Sequence, residues 1–157
     1  MAKAREITGL ASSDAFAEAA AKVLSVRIQE LSDHSHGVQR LDDIEPLHDM
    51  RVATRRLRSA LEVFEACFPR KKYKAALREV KALADALGER RDRDVAIRSL
   101  TEFAARLPAP DRRGVASLVE TLRSEQHRAN EALGPYVADQ RVGRLCRALQ
   151  ELVGDAG

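Results

Sequence analysis

Tryptophan is missing from the 157 residues, and four phenylalanines and two tyrosines are all the aromatic side chains there are. That shortage speaks against a surface that stacks the bases of single-stranded nucleic acid. Cysteine is nearly as scarce. Cys67 and Cys146 each sit in a helical, mostly apolar pattern, which reads as two reduced packing residues rather than a disulfide framework. No run of eighteen apolar residues occurs, so no membrane-spanning helix is expected. The start, MAKAREITGLASSDAF, is basic but has no apolar h-region, so no secretory signal is expected and the expected location is cytoplasmic. There is no Gly-rich phosphate loop, no Ser/His/Asp or Cys/His arrangement that spacing supports, and no strand pattern.

Ala, Leu, Arg and Glu dominate instead, a composition suited to helices. Helix one is predicted over about Asp14 to His36, with Asp14 as N-cap and Gly37 as C-cap. Helix two starts near Pro46 and ends before Pro69. Helix three covers about Arg70 to Leu87 and is closed by Gly88. Helix four follows GERRDRD and ends at LPAP. Helix five opens at Asp111 and stops before GPY, and a last helix covers about Val137 to Val153. The expectation is an all-α fold, an antiparallel bundle of about five to six helices joined by short connections. Residues 1–12 read as a flexible N-terminal segment and 13–154 as one bundle.

The net charge is only +3, but its distribution is uneven. Residues 48 to 98 carry fourteen Lys/Arg against eight Asp/Glu, and the remainder thirteen against sixteen. A positive field concentrated in one third of the chain argues for an anionic partner there. At 100° per residue from His48, the side chains of Arg51, Arg55 and Arg58 fall at about −60°, −20° and −80°, opposite Met50, Ala53, Leu57, Ala60, Leu61 and Phe64. Arg56 falls off this stripe. Lys71, Lys74, Arg78 and Lys81 repeat the same spacing at an offset of 23 residues, and Glu62 repeats as Asp85. Two neighbouring helices are therefore expected to carry parallel basic strips, with Arg91 and Arg98 adding to them. An ordinary solvated face interleaves Glu and Lys at i, i+4; this stripe has almost no acids until its far end. Arginine suits phosphate because its planar fork donates two hydrogen bonds to one group and stays charged.

The stretch LHDMRVATRRLRSALEVF carries the order H-x-x-R-V-x-x-R-R-L-R-x-x-L without a break, and LGERRDRDV supplies L-G-x-x-R-D-x-D-V. With the basic helix between them, these residues closely resemble the CHAD family of histidine-bearing helical domains. The likeness runs over roughly residues 13 to 135, with the sharp motifs in 47 to 100. It implies a helical bundle, here like one half of a CHAD domain, that binds inorganic polyphosphate without catalysis. It also implies association with polyphosphate granules. Carried over residue by residue, it implies phosphate binding by His48, Arg51, Arg55, Arg56, Arg58, Lys74, Arg78, Lys81 and Arg91, with Asp92 matching the R-D pair; Lys71 and Arg98 join the expected polyphosphate-binding residues from the spacing of the basic strips. Arg56 is alternatively a structural link to Asp92 or Asp94. Family members are commonly larger, with two bundles facing each other across a basic groove. This chain has one copy of the motif, which makes a homodimer the expected assembly.

Two other classes compete. His48 and Asp49, with Asp42 and Asp43 as extra ligands, would suit a metal-dependent phosphohydrolase acting on polyphosphate. A basic helical module would suit nucleic acid, although side chains shaped for base edges are lacking. His34 and His36 stand two apart and do not share a helix face; they suit a helix C-terminus better than a metal. The expected site has no catalytic residue, no metal and no cofactor, and no membrane partner.

Overall fold

Leu24, Ile28 and Leu31 recur at helical spacing and are almost wholly buried, so the first segment coils around that stripe. In the computed structural model, which describes residues 3–157, it forms α1 (Phe16–Asp33). There follow α2 (Glu45–Val63), a short 3-10 turn (Glu65–Cys67), α3 (Arg70–Ala104), α4 (Ala109–Val137) and α5 (Asp139–Gly154). No strand occurs among the described residues.

The core lies between α1, α2, α3 and α5, and the last turn of α4 adds Leu133 and Val137 to it. Leu47, Met50, Leu57 and Leu61 enter it from α2, Val80, Leu83 and Leu87 from α3, and Leu149 and Leu152 from α5. Cys67 is buried in it, Cys146 packs at its edge, and both are free thiols. Partial burial pushes the Cys146 thiol above its ordinary value. The longest helix pairing is α3 on α4, an antiparallel hairpin turned by residues 105–108.

Four boundaries depart from the sequence expectation. Asp14 does not cap α1, whose N-cap is Ala15 without a side-chain bond. Its carboxylate instead accepts from the Ala11 N–H at 2.9 Å and from Lys22 at 2.8 Å, and these bonds hold it below its usual pKa. Gly37 lies beyond the end of α1, where its φ of 71° makes the turn toward α2. The largest departure is at Gly88, which does not close a helix. The two helices expected on either side of it are one 35-residue helix, α3. A mid-helix glycine costs about 1 kcal/mol relative to alanine. Burial of Leu87 and Arg90 on either side, and the ion pairs Glu89–Arg93 and Arg90–Asp94 in the next turn, offset that cost. Gly134 and Pro135 likewise fail to stop α4, because Leu133 and Val137 are both buried in its last turn.

Candidate anion-binding face

The connection between α2 and α3 is short, so the two helices run antiparallel. Glu62, near the end of α2, lies 4.0 Å from Lys81. Arg51, three turns earlier, shares a groove with Gly88 and Asp92. Residue numbers thus climb along α2 as they fall along α3. This direction decides how the two basic strips meet. Rather than lying side by side as expected, they lie end to end. The α2 strip runs beside the second part of α3, and the α3 strip runs past the end of α2.

The groove between them has a volume of about 370 Å³. Arg51, Arg55 and Arg58 line one wall, and Ala84, Asp85, Gly88, Glu89 and Asp92 line the other. Among the described residues, no carboxylate lies within 4.0 Å of the charged groups of Arg51 or Arg55. Their forks are free to meet a ligand, although three carboxylates stand across the groove. Arg58 is bound by Glu62 at 3.0 Å.

Beyond the groove, Lys74, Arg78 and Lys81 line a shallow depression of about 380 Å³ with Leu77, Ala82 and Asp85. Asp85 belongs to both depressions, which makes them contiguous. On α3 a single row of positions spaced four and three residues apart passes through Lys74, Arg78, Lys81, Asp85, Gly88 and Asp92. Its charge changes from positive to negative at the level where the arginines of α2 come alongside. Lys71 is exposed one turn before this row.

The remaining expected residues divide. His48 sits one turn before Arg51, and its buried Nδ1 has no hydrogen-bond partner. Arg91 follows Gly88 by one turn and has a buried Nη1 in the same condition. Arg98 is exposed two further turns along α3. Arg56 turns to α1, with its Nη1 3.9 Å from Glu30. The expected link from Arg56 to Asp92 or Asp94 is not formed, because Asp94 is taken by Arg90 at 2.9 Å and by Gln126 at 2.5 Å. Glu30 is buried and needs cations; it also accepts from Arg27 and from the Arg5 backbone N–H.

Arg90 was not singled out by the sequence pattern. It is fully buried, and besides Asp94 it donates to Asn130 Oδ1 at 2.6 Å and to the Arg40 carbonyl at 3.3 Å. This network ties α3 to α4 and to the loop before α2, and so fixes the start of the arginine strip. In that loop Asp42 is bound by Arg40, which holds its carboxyl below the usual range, and Asp43 accepts from the Glu45 N–H at 3.1 Å. Among the described residues, no three His, Cys, Asp or Glu side chains form a group that could hold a metal ion. No described helix is long and apolar enough to cross a membrane.

The chain matches no curated protein and no solved structure. Among family models, that of the CHAD domain matches residues 22–157. The match takes in α2, α3, α4, α5 and most of α1, and therefore the whole basic face.

Proposed function

The chain belongs to the CHAD domain family, and on that premise we propose that it binds inorganic polyphosphate, without catalysis, on the face formed by α2 and α3. One observation carries the reading most: Arg51, Arg55 and Arg58 line one groove wall, with Arg51 and Arg55 unpaired among the described residues, and Lys81, Arg78 and Lys74 continue the cationic file beyond it. A linear chain of phosphates has the repeating charge to fill such a file. Neutral ligands gain nothing from it, and a nucleic acid would leave its bases without stacking partners. His48, Arg91, Arg98 and Lys71 extend the file at its ends. Arg56, held toward Glu30, contributes to positioning more than to contact. Binding of this kind would target the protein to polyphosphate granules.

The test is calorimetric titration with long-chain polyphosphate at about 0.15 M salt, near physiological screening, beside orthophosphate and single-stranded DNA. The expected result is tight binding to polyphosphate alone, with affinity reduced roughly ten- to a hundredfold in Arg51→Ala/Arg55→Ala, the worth of two charge-assisted contacts. Equal affinity for DNA would overturn the reading. Release of orthophosphate in the same cell, stopped by a chelator, would replace it with a metal-dependent phosphohydrolase.

A further inference from the structure

The file of cations is interrupted at one place. Glu62 Oε1 lies 3.0 Å from Arg58 Nε and 4.0 Å from Lys81 Nζ. Arg58 closes the α2 strip and Lys81 closes the α3 strip, so one carboxylate oxygen stands at the point where the two strips meet. Asp85, which lines both depressions, stands on the other helix at the same level. Each strip covers about 15 Å by the rise of an α-helix, and the two end to end cover about 35 Å.

Resting on the polyphosphate reading, we propose that the face is bipartite and selects ligands by length, with Glu62 and Asp85 as an acidic junction between two cationic half-sites. A short polyphosphate occupies one half-site and leaves Glu62 on its two cations. A chain long enough to reach both half-sites crosses the junction, displaces Glu62 from Arg58 and Lys81, and takes its place. Filling the second half-site is then an intramolecular step, favoured by effective concentration. The carboxylates oppose it by charge repulsion, so a chain gains from crossing only if it fills both sides. Glu62 is thus a specificity determinant for chain length.

The experiment titrates the full chain with two sized polyphosphate fractions, one shorter than about 15 Å and one longer than about 35 Å in contour, the lengths set by the helical rise, over a series of salt concentrations. The long fraction should bind more tightly, with a salt dependence about twice as steep because about twice as many counterions are released. Glu62→Gln should strengthen the long fraction about two- to fivefold, the size of an exposed ion pair, and the short fraction less, because a short chain gains Arg58 or Lys81 but not both. Asp85→Asn should act in the same direction. Glu131→Gln, an exposed α4 site with the same change in net charge, should move neither. Equal salt slopes for both fractions, or an equal gain for both in Glu62→Gln, would overturn the junction and leave the polyphosphate reading standing. No binding at either length would overturn the polyphosphate reading and the junction with it.

Discussion

Arg90 illustrates how much of this molecule depends on single side chains. Four residues from Asp94, it looks in the sequence like one more cation of a basic segment. In the structure it is among the largest fully buried side chains, and its bonds to Asp94, Asn130 and the Arg40 carbonyl hold three parts of the fold together. Removing one partner of a buried pair leaves the other charge uncompensated, which costs about 3–5 kcal/mol. Arg90→Ala should therefore lower the unfolding free energy by an amount in that range, read from urea unfolding as a sharply lower midpoint. A change below about 1 kcal/mol, ordinary for a surface substitution, would mean the network is dispensable. The half-buried Arg51 and the exposed Arg55 should cost far less when replaced, because they make no ion pair among the described residues that would be lost.

At the scale of an element, α3 shows why a breaker residue is a weak predictor of a boundary. Gly88 marks a stop in the pattern, yet the helix runs through it. A Cβ built there would meet nothing within 4 Å, so no close packing requires the glycine. Gly88→Ala should raise stability by about 0.5–1 kcal/mol through helix propensity alone, measurable as a higher melting temperature. A loss of stability would mean that the helix needs its flexibility at that point. Gly88 also lines the groove beside Arg51, Arg55 and Arg58. If phosphates run past it, the same variant should bind polyphosphate more weakly while being the more stable protein.

For the whole molecule, the arrangement leaves one cationic wall facing one acidic wall. Asp85, Glu89 and Asp92 oppose the three arginines of α2, so a polyanion in the groove meets attraction from one side only. A second copy with its own arginine file turned toward the same ligand would supply the missing cationic wall. Light scattering should then show a dimer that polyphosphate strengthens. A monomer with and without polyphosphate would show that one open face suffices.

What the sequence by itself determined was everything that depends on periodicity. Apolar spacing along each segment predicts which faces are buried, and Leu24, Met50, Leu57, Val80, Leu83 and Leu149 lie in the core as that spacing requires. Motif order was sufficient for the family, since H-x-x-R and L-G-x-x-R-D are local patterns of side chains on one helix each. The tertiary structure alone decided how the helices meet. Whether two strips with the same spacing lie alongside or end to end depends on chain direction and register, which local spacing does not encode. The antiparallel turn at residues 64–69 sets Arg51, Arg55 and Arg58 against Gly88, Asp85 and Asp92, and brings Lys81 to Glu62. It likewise took packing to show that Arg90 is structural and that Arg56 faces Glu30. An arginine's role depends on which carboxylate its helix neighbours bring within reach, and that is a property of contacts between segments distant in sequence.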